Sequence, residues 1–168
     1  MDALPLAFWD TSLRRRVLHF GHRYDYGRRR LGPRGGGDAL AFPPWLEAIA
    51  RRLVAMELFR EGCPNAALLN EYDPGQGITR HVDGPMFGDT IAGISLLSPA
   101  EMRLSHPDGT LWALDLPSRS LLVLTGEARR VWRHAIPARK SDPLPDGGRR
   151  PRGRRLSLTL RTVRQPGG

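Results

Sequence analysis

The chain has 168 residues, of which 40% are hydrophobic and 26% are charged, and its net charge at pH 7 is +9. This length and composition fit one folded globular domain and exclude a disordered chain, and no apolar run approaches the ~20 residues of a membrane span. The single cysteine, Cys63, excludes an internal disulfide framework, so we expect a cytoplasmic protein.

The positive charge is concentrated in two regions. Residues 1–34 hold eight arginines and three acids, and residues 129–164 hold twelve basic residues and two acids, whereas residues 35–128 hold six arginines and twelve acids. This distribution favours a polyanionic partner, so we expect nucleic acid to be that partner. Because no apolar run is long enough for a membrane span, we expect no membrane partner, and we also expect a monomer. The alternative is an arginine-rich composition whose basic runs are simply solvated.

The first third of the chain predicts a ribbon and then a helix. Residues 13–37 mix arginine with aromatic side chains and close in a glycine-rich stretch, which is typical of a short strand or ribbon followed by a flexible loop. Pro43 and Pro44 then start a helix. Its apolar residues recur at steps of three and four: Trp45, Leu46, Ile49, Leu53 and Met56.

From residue 66 onward the sequence predicts short strands and no further helix. Turn signals separate seven strand-like segments: 66–72, 90–97, 101–104, 110–116, 120–124, 130–136 and 155–163. Residues 142–153, rich in Pro, Gly and Arg, are predicted as a loop. Many short strands predict a mainly β protein with few helices (α+β), either a sandwich or a jelly roll.

Two His-x-Asp pairs are candidates for a metal or catalytic site, and one of them has a structural explanation. The stretch His106-Pro107-Asp108-Gly109 places proline at the second turn position with aspartate and glycine after it, as in a hairpin connection. We therefore predict that His106 and Asp108 face solvent between two strands.

The other pair, His81 and Asp83, fits metal binding better. In extended backbone both side chains point to one face, and His134 in the predicted strand 130–136 supplies a third ligand. Two imidazoles and one carboxylate form a facial triad that leaves positions open for a co-substrate and O₂, as in non-haem Fe(II) oxygenases. The alternative is a buried structural histidine with a surface ion pair.

Segment 155–161 adds a candidate anion site. Its leucines form one face, and its polar residues form the other: Arg155, Ser157, Thr159 and Arg161. Two arginines on one face can hold a dicarboxylate through bidentate, charge-assisted bonds, although a solvent-facing strand has the same alternation. Asn70 and Tyr72 share a face just before the metal segment and can complete a pocket for an acidic ligand.

Together these residues resemble the AlkB family of Fe(II)- and 2-oxoglutarate-dependent dioxygenases over about residues 15–165. The matching elements occur in family order: Asn70-x-Tyr72, Pro74-Gly75, His81-x-Asp83, Gly126-Glu127-x-Arg129, His134 and Arg155-x-Ser157-x-Thr159-x-Arg161. The turn at His106 and the ending Arg161-x-Val-Arg-Gln165 resemble the branch that contains the oxygenase domain of the tRNA-modifying homologue.

The resemblance implies one domain, residues 1–168, with a double-stranded β-helix (jelly roll) over residues 66–163 and a supporting N-terminal helix. It implies that His81, Asp83 and His134 bind Fe(II) and form the catalytic centre, with O₂ and 2-oxoglutarate as co-substrates. Arg155 and Tyr72 are implied to bind the far carboxylate of 2-oxoglutarate, and Asn70 and Arg161 are implied to lie near its keto-acid end. Ser157, between the two arginines, is also implied to bind the co-substrate.

The resemblance also implies a substrate class, namely alkylated or modified bases of nucleic acid, with RNA or tRNA slightly favoured over DNA. Residues 14–37 correspond to a nucleotide-recognition ribbon, in which His22, Tyr24 and Tyr26 stack on a flipped base and Arg23 and Arg28 hold phosphates. For the aromatic residues, the alternative role is ordinary packing beneath the sheet. For the whole chain, the alternatives are a non-catalytic basic nucleic-acid-binding domain and an oxygenase that acts on a protein or small molecule.

Two departures from the family limit what carries over. Pro85 stands where the DNA-repair prototype has a second acid that helps to read the damaged base, so that prototype's base preference is not expected here. The family usually has a further strand and helix before Arg15, so we expect either a truncated form or a compact variant.

Overall fold

A computed structural model describes residues 6–25, 30–34 and 39–164, with only the backbone described for residues 6, 23–25, 30, 31, 33 and 34. The described ranges contain a 3-10 turn at Leu6–Phe8 and two α-helices, α1 (Pro44–Ala55) and α2 (Gly126–Arg130). The remaining elements are strands: β1 (Arg16–Phe20), β2 (His22–Asp25), β3 (Arg30–Arg34), β4 (Ala66–Tyr72), β5 (Ile78–His81), β6 (Phe87–Leu97), β7 (Ala100–Ser105), β8 (Leu111–Leu116), β9 (Leu121–Leu124), β10 (Arg133–Ile136), β11 (Ser141–Pro143), β12 (Arg149–Pro151) and β13 (Arg155–Val163). The protein is mainly β with few helices, as predicted.

Two antiparallel sheets build the fold of the described residues. The larger has the order β1-β4-β13-β6-β9, and the smaller has the order β5-β10-β7-β8. Residues of both sheets line one cavity, so the sheets face each other across it. Strands far apart in sequence pair directly, β13 with both β4 and β6, which agrees with the predicted jelly roll. Among the described residues, no helix has the length and hydropathy needed to cross a membrane.

Helix α1 covers the outer face of the larger sheet. Pro44 occupies the first turn, where its missing N–H costs no intrahelical bond. The buried side chains of α1 cluster with the leucines of β13: Leu46, Ala50 and Leu53 against Leu156, Leu158 and Leu160. Full burial of one leucine contributes about 2 kcal/mol, so this contact fixes which face of β13 points outward. The opposite, polar face of β13 therefore points into the cavity.

The Pro-Gly turn between β4 and β5 sets the position of the smaller sheet. The backbone N–H of Gln76 donates to the carbonyl of Asp73 at 2.9 Å, and Gly75 has a φ of +94°, as a type II turn requires. Gly77 then passes so close to the carbonyl of Ile136 that a Cβ would clash with it. This turn therefore brings β5 directly alongside β10.

The structure differs from the predicted elements in four places. Helix α2 lies where no helix was predicted, because five residues are too few for a helical periodicity. Strand β5 was not predicted as a strand, and β3 extends to Arg34, inside the stretch predicted as a glycine-rich loop. The predicted loop at 142–153 contains the β11–β12 pair, which buried Asp142 stabilises by accepting hydrogen bonds from Arg139 and Arg152. The other predicted strands from residue 66 onward agree to within three residues.

Candidate metal centre and anion pocket

The three predicted metal ligands come together where β5 and β10 pair. His81, the last residue of β5, is the Cα partner of His134 in β10, and their ring centroids lie 4.2 Å apart. Asp83 follows two residues later, with its Oδ2 3.5 Å from Nε2 of His134. The candidate ligand atoms of the three side chains all lie within 4.8 Å of one another. One ion, at about 2 Å from each donor, can be shared after small side-chain rotations.

The protonation states of the three side chains suit a cation. Burial opposes ionisation of Asp83, but Arg161 and the two histidines outweigh it and lower the pKa of this carboxyl. Burial also lowers the pKa of His134 to about 4, against the attraction of Asp83, so its imidazole is neutral at pH 7. His81 Nδ1 lies 2.9 Å from the carbonyl of Thr79, and a hydrogen bond there leaves Nε2 free to bind a metal. The donor set therefore fits a divalent metal.

Arg129 fixes the loop that carries Asp83. Its buried guanidinium donates hydrogen bonds to two backbone carbonyls of this loop, at Asp83 (3.0 Å) and Gly84 (2.9 Å), and to two at the start of β6, at Phe87 (3.3 Å) and Gly88 (3.1 Å). Because α2 places this side chain, the short helix that was not predicted supports the candidate metal centre. Sequence reasoning placed Arg129 in a matching motif but assigned it no role.

The turn at His106 joins two strands as predicted and Asp108 is exposed, but His106 is half-buried rather than facing solvent. The turn joins β7 to β8, with Gly109 at a φ of +95° and its N–H bonded to the carbonyl of His106. His106 Nδ1 lies 2.8 Å from Asp108 Oδ1, and the ring packs on Trp132 with centroids 5.0 Å apart. These contacts are those of a structural turn.

A cavity of about 380 Å³ lies between the sheets, beside the candidate ligands. The polar face of β13 lines it with the four residues predicted to share that face: Arg155, Ser157, Thr159 and Arg161. Asn70 and Tyr72 of β4 line the same cavity. The structure therefore brings the predicted metal ligands and the predicted anion-binding residues to one cavity.

Arg155 is the more deeply placed of the two predicted anion-binding arginines. It is buried, its guanidinium lies 5.6 Å from the ring centre of Tyr72, and one terminal nitrogen donates to Ser95 Oγ at 2.9 Å. Its Nε is buried without a hydrogen-bond partner among the described residues. A buried guanidinium with unused donor capacity is suited to an anionic ligand.

Arg161 lies at the metal end of the cavity. Its guanidinium is 2.5 Å from Asp83 Oδ1 and 4.5 Å from the ring centre of Phe87. Between the two arginines, Ser157 pairs with Asn70 on one side and Ser95 on the other, which forms a polar row across three strands. The wall of the cavity thus runs from Arg155, through this row, to the candidate metal ligands.

A third arginine in the cavity was missed by sequence reasoning. Arg15, just before β1, is buried, lines the cavity and donates from Nε to Asn70 Oδ1 at 2.9 Å. Its positive charge and hydrogen bond also act on the hydroxyl of Tyr72, although burial dominates there and raises the pKa of that phenol. The contact between Arg15 and Asn70 spans 55 positions, so only the tertiary structure reveals it.

The predicted substrate-binding residues are only partly described. His22 lies in β2, which pairs with β3, and its Nδ1 is 3.4 Å from the carbonyl of Gly32. Tyr26 and Arg28 lie outside the described residues, as do the side chains of Arg23 and Tyr24. The predicted roles of these five residues remain predictions.

Comparison with known proteins adds family information to this geometry. The family model described as 2OG-Fe(II) oxygenase superfamily matches residues 11–161. The curated tRNA (carboxymethyluridine(34)-5-O)-methyltransferase ALKBH8 of Macaca fascicularis is 37% identical over 170 residues, which cover 90% of this chain and 25% of that protein. The Alkylated DNA repair protein ALKBH8 homolog of Arabidopsis thaliana is 32% identical over 187 residues, which cover 98% of this chain and 54% of that protein.

These relatives are longer than the chain, which spans between about a quarter and a half of their length. Among solved structures, the structure of OsALKBH1 superimposes with a TM-score of 0.67 at 21% identity, over 89% of this chain and 78% of that one. At this identity the likeness concerns the fold alone, and it agrees with the predicted double-stranded β-helix.

Proposed function

We propose an oxygenase function for this chain, which belongs to the AlkB family within the 2OG-Fe(II) oxygenase superfamily. Family membership implies an oxidoreductase of the dioxygenase class that uses Fe(II), 2-oxoglutarate and O₂. When bound, these groups supply the oxidation of a substrate C–H bond, with succinate and CO₂ as co-products. The remaining task of the protein is to position the metal, the co-substrate and the target.

His81, Asp83 and His134 hold Fe(II) in this proposal. The observation that carries it is the donor set, in which two imidazoles and one ionised carboxylate lie within 4.8 Å of one another. Arg161 keeps the carboxylate of Asp83 charged and oriented, and Arg129 holds its backbone. In this arrangement His134 comes from β10, His81 from the end of β5 and Asp83 from the loop after β5, so a bound metal would link both strands and the loop.

Arg155 binds the far carboxylate of 2-oxoglutarate, beside the hydroxyl-bearing ring of Tyr72. Asn70, Ser157 and Arg161 line the path from this carboxylate to the metal ligands and receive the keto-acid end. Support comes from the buried donor of Arg155, which lacks a partner among the described residues and can pair with a carboxylate oxygen. Arg15 belongs to the same site, where it orients the amide of Asn70.

The substrate in this proposal is a modified base in nucleic acid, with RNA or tRNA favoured over DNA. One relative is named for a tRNA uridine and the other for repair of alkylated DNA, so both names support nucleic acid. The net charge of +9 favours the same partner. Oxidation of an N-methyl group ends in demethylation, whereas oxidation of a carbon substituent leaves a hydroxylated base. We further propose that the chain acts as a cytoplasmic monomer.

Succinate formation from 2-oxoglutarate under Fe(II) and O₂ tests this function. We expect turnover that a methylated oligonucleotide or modified tRNA stimulates, with an oxidised base detected by mass spectrometry. Turnover that no nucleic acid stimulates would instead identify an oxygenase for a protein or small molecule. Retention of oligonucleotide without any turnover would identify a non-catalytic binding domain.

A further inference from the structure

Trp112 in β8 is a large aromatic side chain with 65% of its surface exposed. A single exposed apolar residue needs no special explanation, so its position relative to the candidate site decides whether it matters. Strand β8 is the outer strand of the smaller sheet in the described part of the chain. Trp112 therefore stands at a border of the sheet that also carries the histidines.

The strand register places Trp112 on the same sheet face as the candidate metal ligands. Trp112 is the partner of Leu104 in β7, Leu104 is the partner of His134 in β10, and His134 is the partner of His81. Paired residues of neighbouring strands point to the same face. Two strand spacings separate the backbones of Trp112 and His134, which corresponds to about 10 Å.

Exposure along β8 shows that this face runs from the cavity to its rim. Alternate residues of the strand share a face, and their exposed fractions rise from 4% at Leu116 to 37% at Leu114 and 65% at Trp112. Leu116 lines the cavity, whereas Trp112 stands outside its lining. The indole thus projects at the rim, level with the two histidines.

We propose that Trp112 stacks on the base that neighbours the target nucleotide, an inference that rests on the nucleic-acid substrate proposed above. The target base has to leave its stack and enter the cavity to reach the metal ligands, so its neighbours stay at the rim. An exposed indole offers those neighbours a new stacking partner, and such stacking tolerates any base. The separation of about 10 Å from His134 suits a flanking base rather than the reacting one.

Two single-stranded RNA nonamers test the stacking. Both carry a central N-methylated adenine, and they differ in having either normal bases or abasic sites at the two flanking positions. We expect the wild-type protein to bind the normal nonamer about 5- to 100-fold more tightly than the abasic one. Trp112→Ala should remove this preference, whereas Trp112→Phe should keep most of it. Leu111→Ala is the matched control, because Leu111 is 71% exposed on the opposite face of the same strand.

The outcomes separate this inference from the proposed function. If Trp112→Ala keeps the preference for normal flanking bases, the stacking role is wrong and the nucleic-acid function stands. If Trp112→Ala raises the KM for 2-oxoglutarate as much as the Kd for the nonamer, the cavity is damaged and the stacking role is again wrong. A change of oligomeric state with an unchanged preference assigns the exposed strand to self-association instead. If the wild-type protein neither binds the nonamers nor is stimulated by them or by modified tRNA, both proposals fail.

Discussion

The two His-x-Asp pairs share a spacing and differ in how their side chains are satisfied. In the turn, His106 and Asp108 contact each other, and Asp108 also accepts the backbone N–H of Thr110 at 2.8 Å. In the other pair, called the strand pair because His81 ends β5, His81 bonds to a carbonyl, and Asp83 in the following loop pairs with Arg161. Each member of the strand pair therefore has a separate support and keeps further donor atoms for a shared ion. A neighbouring strand that supplies a third donor turns a pair into a candidate site.

The aspartates of the two pairs also differ in burial, whereas the pKa of the carboxyl is lowered in both. Burial opposes ionisation of Asp83, yet the surrounding cations lower its pKa. Asp108 is exposed, and the backbone N–H of Thr110, together with His106, lowers its pKa to about 2. A lowered carboxyl pKa therefore occurs in both regions. Only the buried acid has lost water that a metal or an arginine must replace.

Alanine substitutions at the two pairs test this comparison with the largest expected effect. We expect His81→Ala or Asp83→Ala to reduce Fe(II)-dependent succinate formation by more than about 100-fold, because loss of a ligand exceeds the effect of losing an outer partner. His106→Ala should change it by less than about twofold. Metal content after reconstitution should follow the same order. Equal losses in all three variants would mean that the distinction drawn between the two pairs is wrong.

Arg129 tests whether the backbone hydrogen bonds around Asp83 matter for metal binding. Arg129→Met removes the donors for four carbonyls, so we expect Fe(II) affinity to fall roughly 10- to 100-fold, as for other outer partners of metal ligands. Arg130→Met is the matched control, because the neighbouring Arg130 is exposed and pairs with Asp89 at 2.9 Å. Titration with Fe(II) under anaerobic conditions measures both affinities. Similar affinities in the two variants would argue against a role of the Arg129 hydrogen bonds in metal binding.

Arg155 tests the anion pocket separately from the metal. Arg155→Ala should raise the KM for 2-oxoglutarate about 10- to 100-fold while Fe(II) content stays normal, because one charge-assisted contact is lost and the metal ligands remain. Arg154→Ala provides the control, since Arg154 is exposed and pairs with Glu71. Succinate formation at varied 2-oxoglutarate concentrations distinguishes the variants. A normal KM in Arg155→Ala would place the dicarboxylate elsewhere.

Local sequence patterns predicted the strands better than they predicted the residues that position the candidate ligands. The bounds of β4 and β13 follow from composition and alternation, and the candidate metal ligands follow from residue type and spacing. The role of Arg129 could not be predicted from the sequence, because its acceptors are backbone carbonyls, which every residue has. Arg15 was missed because its contact with Asn70 bridges distant segments. Supports of this kind depend on tertiary packing, so they appear only once the fold is known.

Asp142 does not line the cavity, so its substitution should affect activity least, and its stability provides the sharpest test of burial. This carboxylate is 0% exposed, and although burial opposes its ionisation, the hydrogen bonds from Arg152 and Arg139 lower its pKa to about 2. Exposed Asp108 has a similar pKa, although its partners are the backbone N–H of Thr110 and His106 rather than two arginines, so burial and not pKa separates the two acids. We expect Asp142→Asn to lower the free energy of unfolding at pH 7 by about 3 kcal/mol, as for other broken buried pairs, and Asp108→Asn to change it little.

The pH dependence of this difference has a defined sign. The folded pKa of Asp142 lies below its ordinary value of 3.8, so the ionised carboxylate stabilises the folded state above about pH 4. That stabilisation is lost as the pH falls from 4 towards 2, so the gap in urea midpoint between the wild-type protein and Asp142→Asn should narrow over this range. A gap that stays constant from pH 7 to about pH 2 would show that the destabilisation does not come from the lost charge but from the NH2 group that asparagine places against the donors of Arg139 and Arg152. In that case hydrogen bonding rather than charge would hold β11 and β12 together, and the electrostatic part of the comparison would apply to Asp83 alone.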